Sequence, residues 1–396
     1  MLLKTERNYY EGLKLFKSLQ RNIDMKTVLI VVGTRPEAIK LIPVYKELVK
    51  IKQWKTLIVS TGQHREMIQS VFTFFGVRPD VDLNIMLPDQ SLEQLTTKLM
   101  HACSDLLKQY KPELLIVQGD TTTAMVASLA AFYQRIKIAH IEAGLRSFDR
   151  LAPYPEEVNR RIVSLLADYH FAPTRLSAQH LRQERVQGKV FIVGNTVIDS
   201  LLFTQKKVLK SIKVFNKHYA AQLKGFERMV LITGHRRESF GSGFEQICKA
   251  IGRLASRYPN ISFIYPVHLN PNVKKPVTAM LGSYPNIFLI DPVPYDHMIF
   301  LMMHASLILT DSGGIQEEAP TLGKPLLIMR SVTERPEGIM SGNNILCGAS
   351  APQIVSRAID ILEKPTPVRK RKSFRSPFGR GDSAKKIASH LLRELV

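Results

Sequence analysis

Short apolar, β-branched runs alternate with longer amphipathic stretches along almost the whole sequence, and no other feature restricts the fold as much. The runs at 28–32, 56–60, 114–118, 137–141, 169–172 and 190–193 read as buried strands. Between them, stretches such as 39–50, 92–110 and 122–134 read as helices. After a polar stretch the cycle begins again, with strand candidates at 229–233, 262–266, 287–290, 307–310 and 325–329. Alternation of this kind gives a parallel sheet with helices on both faces, because a parallel crossover needs about a helix's length of chain. Two such series predict two doubly wound α/β domains meeting near residue 195. With 396 residues, 45% of them hydrophobic, each half is large enough for its own core.

Residues 1–24 carry scattered charges and no apolar centre of the kind a signal peptide needs, so they are read as an N-terminal extension of unassigned role. The first domain is expected over 25–195, the second over 196–376, and a final helix over 377–396. In that helix Asp382 or Ser383 is placed to cap, and Ile387, Leu391 and Leu395 recur at i, i+4 and i+8. Its apolar stripe must dock, and the first domain is one surface open to it. No apolar stretch approaches the roughly 20 residues that span a bilayer, so no membrane insertion is expected. Cys103, Cys248 and Cys347 are odd in number and far apart, which supports neither a disulfide framework nor a zinc site. A cytoplasmic, reducing location fits that usage. The net charge of +21, with a pI near 9.9, favours anionic partners: nucleic acid, acidic lipid or phosphorylated metabolites. The densest basic run, "RKRKSFR" at 369–375, reads as a solvated linker, and without a zinc-finger or RRM signature no nucleic acid is expected.

In open parallel sheets ligands bind beyond the carboxyl ends of the strands. The polar clusters of this chain follow the strand candidates, so its site is expected in the cleft between the domains. In "LILTDSGGIQEEAPTLGKP" (307–325), Ser312, Gly313 and Gly314 open a helix after a strand, where free N–H groups hold a phosphate. Glu318, a little over one turn further, is in reach of a ribose diol. The GxGxxG and GxxxxGK[ST] signatures are absent, which favours neither dinucleotide binding nor P-loop hydrolysis. Thr34, Pro36 and Glu37 mark another helix start, so Arg35 sits at the positive end of that helix dipole. A cation is tolerable there if an anion lies between it and the N–H groups, and Lys40 adds a second positive contact. Asp120 and Glu142 close two strands, and Glu156 follows in the loop "APYPEEVNRR", where it also stands four residues from Arg160. Three acids leaving one sheet edge repel one another and spread their pKa values, so acid and base roles coexist at neutral pH. His235, at a strand end between Gly234 and Arg236, is placed for a phosphate or sugar contact.

Nine blocks, "GTRPEAIK", "GDTTT", "HIEAGLRS", "PYPEEVNRR", "VGNTVIDSL", "TGHRRESFG", "YPVHLNPNV", "LTDSGGIQEEAPTLGKP" and "TERPEG", occur in an order and spacing that resembles the non-hydrolysing UDP-N-acetylglucosamine 2-epimerases. The resemblance runs from about residue 25 to 395. It implies two Rossmann-like domains in a GT-B-like arrangement, with the final helix crossing back to the first domain. It implies interconversion of UDP-GlcNAc and UDP-ManNAc through a 2-acetamidoglucal, without metal or cofactor, in a homodimer, for cell-surface polysaccharide. By the same resemblance Asp120, Glu142 and Glu156 transfer protons, their order left open, and His235 lies near the diphosphate. Arg35, Lys40, Ser312, Gly313, Gly314, Glu318 and Arg335 match substrate contacts, together with Asp120, Glu142 and His235. Gln63, Gln90, Arg236 and His268 match a second, activating UDP-GlcNAc site. Two rival readings share much of this pattern. One is a hydrolysing relative that releases ManNAc and UDP. The other is a GT-B glycosyltransferase, which "EAPTLGKP" also suits but which has less use for three acids.

Overall fold

The computed structural model describes residues 25–62, 65–86, 90–234, 242–342, 344–363 and 376–395. The first series runs β1 (Lys26–Val32), α1 (Arg35–Leu48), β2 (Trp54–Ser60), α2 (Arg65–Phe75), β3 (Val81–Asp82), α3 (Leu92–Tyr110) and β4 (Leu114–Gln118). It continues through α4 (Thr122–Tyr133), β5 (Lys137–Ile141), α5 (Glu156–Leu166), β6 (Tyr169–Ala172), α6 (Arg175–Gln183) and β7 (Lys189–Ile192). Three helices follow, α7 (Thr196–Lys210), α8 (Ile212–His218) and α9 (Ala220–Leu223). The second series is β8 (Arg228–Thr233), α10 (Ser242–Arg257), β9 (Ile261–Pro266), α11 (Pro271–Leu281), β10 (Ile287–Ile290) and α12 (Tyr295–His304). It ends with β11 (Leu307–Thr310), α13 (Gly313–Thr321), β12 (Leu326–Ile328), α14 (Pro336–Met340), β13 (Asn344–Leu346), α15 (Ala351–Leu362) and the final helix α16 (Ser383–Leu395).

The strands form two wholly parallel sheets, ordered β3-β2-β1-β4-β5-β6-β7 and β10-β9-β8-β11-β12-β13. In each, the order reverses beside the first strand of the series, which opens a crevice at the strands' carboxyl ends. The short edge strands β3 and β13 were not expected. They carry too few residues for a period-2 pattern, and their extended form depends on pairing with β2 and β12. The first helix begins at Arg35, directly after the N-cap Thr34 that the sequence marks, and Glu37 closes the capping box. Its carboxylate accepts the N–H groups of Gly33 (3.1 Å) and Thr34 (2.6 Å).

β1 shows why both faces are covered. Val28, Ile30 and Val32 turn one way and Leu29 and Val31 the other, and all five are buried. Leu29 and Val31 join an outer core with Leu106 of α3, Ala127 of α4 and Val163 of α5. The second sheet has its own outer core, where Val230 and Ile232 meet Ile251 of α10 and Ile354 of α15. The inner faces share one cluster, which runs from Val28 and Ile30 through Ile42 of α1 and Leu201 of α7 to Phe300 of α12, Leu231 and Ile308. α7 is the centre of this layer and packs against α1, α12, α13 and α16.

α16 packs against α1 and α7, with Ile387, Leu391 and Leu395 buried. Each such side chain contributes about 1.5–3 kcal/mol. The cap at its start is not purely local, as spacing suggested. Asp199 of α7 accepts the N–H groups of Ser383 (3.2 Å) and Ala384 (3.0 Å), while Asp382 binds Lys386 (2.8 Å). Among the described residues no helix is long and apolar enough to cross a membrane. Residues 1–24 and the basic run 369–375 lie outside the described residues.

Candidate active site

Asp120 and Glu142 follow neighbouring strands. β4 and β5 pair with Gln118 beside Ile141, and the Gly119 N–H donates to the Ile141 carbonyl (3.0 Å). Both turns then use left-handed backbone, at Gly119 (φ 71°) and at Glu142 itself (φ 63°). Glycine takes that conformation freely, whereas for glutamate it costs on the order of 1 kcal/mol, strain that tends to be held at working sites. The turn leaves the Glu142 side chain 2% exposed. There the Gln118 amide and the Lys40 ammonium donate to Oε2, and Arg335 donates to Oε1 at 3.2 Å.

Arg335 comes from the other half of the chain, at the N-terminus of α14. Its Nε donates to Glu317 of α13 (2.6 Å) and its Nη1 to Glu334. Lys40 also lies 3.8 Å from Glu317. Three acids, Glu142, Glu317 and Glu334, and two cations, drawn from both halves of the chain, therefore form one buried cluster. Burial alone would raise Glu142, but Lys40 and Arg335 outweigh it and hold the carboxyl below its usual range. Glu317 shows the opposite balance, and burial raises it to about 6 against the pull of the same two cations. For Lys40, burial is outweighed by Glu142 and Glu317, and its pKa rises.

Asp120 is held by α5. Arg160 Nη2 donates to its carboxylate at 2.5 Å, and the Asn159 side chain donates to its carbonyl at 3.0 Å. Arg160 also pairs with Glu157 (3.1 Å), one position beyond the acid that sequence spacing singled out. Glu156 opens α5 one turn before Asn159 and Arg160.

Across the cleft, Ser312 is the N-cap of α13, and Gly313 and Gly314 fill its first turn, where N–H groups lack intrahelical acceptors. The Ser312 N–H itself donates to Thr310 Oγ1 (3.0 Å). A Cβ on Gly313 would come within 2.7 Å of Arg335 Nη1, so glycine is what lets the guanidinium approach. Glu318 is buried and accepts the Tyr295 hydroxyl at 2.6 Å, and burial pushes it up to about 7. Arg35 crosses from the first half to donate to the Val293 carbonyl (3.2 Å). Burial lowers its pKa, partly offset by Glu318, Tyr295 and Asp296. A further bond joins the halves between the Thr174 hydroxyl and Glu337.

The structure thus brings Lys40, Glu142, Arg335 and Gly313 into one contact group, with Asp120 on the next strand and Arg35 near Glu318. His235, Gln63 and Arg236 lie outside the described residues. Gln90 precedes α3, and His268 follows β9, where it accepts the Asn270 N–H (3.1 Å). Sequence reasoning passed over Glu317, Gln118 and Tyr295, and it read Glu37 only as a helix cap. The Glu37 carboxylate also accepts the Thr121 hydroxyl (2.7 Å), which ties the β1–α1 turn to the one that carries Asp120. A signal for Glu317 did exist: two adjacent acids lie at different angles on a helix that must fit between two sheets.

The family model described as UDP-N-acetylglucosamine 2-epimerase matches residues 46–392. The UDP-N-acetylglucosamine 2-epimerase of Salmonella typhimurium is 46% identical over 368 residues, covering 92% of this chain and 98% of the relative. Among solved structures, UDP-GlcNAc 2-epimerase from Neisseria meningitidis bound to UDP-GlcNAc has a TM-score of 0.89 at 44% identity, covering 93% of this chain and 100% of that one. The Methanocaldococcus jannaschii UDP-GlcNAc 2-epimerase in complex with UDP-GlcNAc and UDP gives 0.81 at 33% identity, with coverages of 93% and 100%. The shared architecture is two parallel-sheet α/β domains in a GT-B-like arrangement.

Proposed function

Because the chain belongs to the UDP-N-acetylglucosamine 2-epimerase family, we propose that it interconverts UDP-GlcNAc and UDP-ManNAc reversibly at C2, without hydrolysis. The observation that carries this reading is the buried Glu142 carboxylate, held ionised by Lys40 of one half and Arg335 of the other. The C2 hydrogen is only weakly acidic, so the anomeric C–O bond must break ahead of its removal or together with it. The C–O electron pair leaves with UDP, Glu142 takes the C2 proton, and the C–H pair becomes the C1–C2 double bond of a 2-acetamidoglucal.

The cations link the two events. Lys40, Arg335, Arg35 and the first-turn amides of α13 are disposed to meet the departing diphosphate. As Lys40 and Arg335 turn toward that charge, Glu142 loses its stabilising partners and becomes a stronger base. Asp120 or Glu156 returns a proton to the opposite face of C2, and UDP adds back at C1. That acid regains its proton from solvent as Glu142 gives up the one it took. Glu318 holds the ribose hydroxyls. Contacts between the halves, Arg335 to Glu142, Arg35 to Val293 and Thr174 to Glu337, support a closed cleft that keeps water from the glucal.

The active unit is a homodimer. Its supporting feature is an exposed apolar patch on the packed helices α4 and α5, with Phe132 54%, Tyr133 69% and Leu165 72% exposed. Three free, buried thiols fit a cytoplasmic setting, and the ManNAc product suits surface polysaccharide synthesis.

The test is incubation with UDP-GlcNAc in D2O, followed by NMR at C2. Deuterium should enter C2, with UDP-ManNAc as a minor species. Accumulation of free ManNAc would assign a hydrolysing epimerase instead. No exchange in the absence of an acceptor would favour a glycosyltransferase.

A further inference from the structure

The positive charge of this protein is unevenly placed. Between Asp199 and Glu227 the chain holds no acidic residue but six lysines, Lys206, Lys207, Lys210, Lys213, Lys217 and Lys224, and all are exposed. The first five lie on α7 and α8. These helices meet at Ser211, whose N–H donates to the Lys207 carbonyl (3.3 Å) and whose carbonyl accepts the Val214 N–H (2.9 Å). At i, i+4 spacing Lys206 and Lys210 share one face of α7, with Leu209 and Phe203 flanking it. Lys213 and Lys217 share one face of α8, with Val214 beside it. The two pairs form a lysine stripe in two segments on either side of Ser211. Leu209 is 52% exposed and Val214 69%. The opposite face carries Leu201, Val208, Phe215 and Tyr219, all buried, so the stripe cannot roll inward. Among the described residues none of the four stripe lysines forms an ion pair.

A solvated helix face ordinarily mixes both signs of charge, whereas this one is single-signed and edged with apolar side chains. That combination fits a surface which is anionic outside and apolar a few ångströms beneath. Lysines meet acidic headgroups there, and Leu209 and Val214 reach the acyl boundary. Nucleic acid would use the lysines but leave both apolar side chains without a partner. We infer that the outward face of α7 and α8 docks the protein on a bilayer rich in anionic phospholipid. The other sides of α7 remain packed on α1, α12, α13 and α16, so docking needs no rearrangement of the core.

Flotation of the full-length protein with phosphatidylglycerol-containing vesicles, against pure phosphatidylcholine vesicles, tests this. Binding is expected to the anionic vesicles alone and should weaken with salt. Reversing Lys206, Lys210, Lys213 and Lys217 to Glu should lower partitioning by at least roughly 100-fold. A control with the same net charge, reversed at the exposed Lys52, Lys55, Lys98 and Lys275, should lose far less. Leu209→Ser with Val214→Ser, which leaves charge unchanged, should weaken partitioning by about tenfold. C2 exchange in solution should stay at the parent level in all three variants and reports that they are folded. Equal losses in the two charge-reversed proteins would overturn the inference in favour of undirected charge. Retained vesicle binding in the stripe variant would also overturn it, as would loss of binding to a single-stranded RNA probe with no effect of the Leu209 and Val214 changes.

Discussion

Glu142→Gln separates the charge of this side chain from its shape. In the parent the carboxylate touches Lys40 and lies 3.2 Å from Arg335. At an effective dielectric of about 20, attraction over 3.2 Å amounts to roughly 5 kcal/mol before desolvation is subtracted. The amide keeps the volume and one acceptor, but it leaves Lys40 and Arg335 to share Glu317 and Glu334. Glu334 also pairs with Arg330 (3.1 Å), so three cations face two carboxylates. Removing one member of a buried pair should cost about 3 kcal/mol of stability at neutral pH, read by urea unfolding. The sign with pH follows from the lowered pKa. Glu142 contributes stability above its ordinary value of 4.5, and the contribution disappears as pH falls through the lower folded value. Parent and variant should therefore converge in stability as the solution is acidified below 4.5. C2 exchange in D2O, per folded molecule, should fall by about 10²–10⁴-fold, the worth of a general base. A pH-independent stability difference would refute the electrostatic account, and exchange within about tenfold of the parent would remove Glu142 as the base.

Glu318→Gln should flatten a different part of the stability curve. Burial raises Glu318 from 4.5 to about 7, so its ionisation costs stability as pH rises through that interval, by up to about 3 kcal/mol. Thermal unfolding across the interval reads the effect, and an unchanged slope would refute it. Gly313→Ala should push the Arg335 guanidinium from its place, since the new Cβ would stand 2.7 Å from Nη1. KM for UDP-GlcNAc should rise and kcat fall in steady-state kinetics, and parent-like values of both would show that the guanidinium adapts. Asp199→Ala removes the acceptor for the Ser383 and Ala384 N–H groups and should cost about 1–2 kcal/mol, with faster amide exchange at the start of α16. Unaltered exchange there would return the cap to Asp382.

The periodic features of this chain were legible without coordinates because they are local. Runs such as 114–118 and 307–310 carry their own strand signal, and the sheets follow from alternation alone. The turn at Ser312, Gly313 and Gly314 and the helix start around Arg35 were visible for the same reason, since their residue types restrict their own backbone. The acids Asp120 and Glu142 stood out as polar residues directly after apolar strands. β3 and β13 did not, because two or three residues carry no period and only a neighbouring strand holds them extended.

What tertiary structure decided is which of these residues meet. Arg335 and Glu142 are 193 positions apart, and the N–H groups of Ser383 and Ala384 lie 184 and 185 from Asp199. No local rule assigns such partners. The choice depends on how one sheet is set against the other, and that is fixed by the packing of α7 and α16 across the shared inner core. The sequence determined two doubly wound halves and the chemistry at their edges. Only the fold determined that Glu142 is buried with its charge intact, because the cation that keeps it so, together with Lys40, arrives from the opposite half.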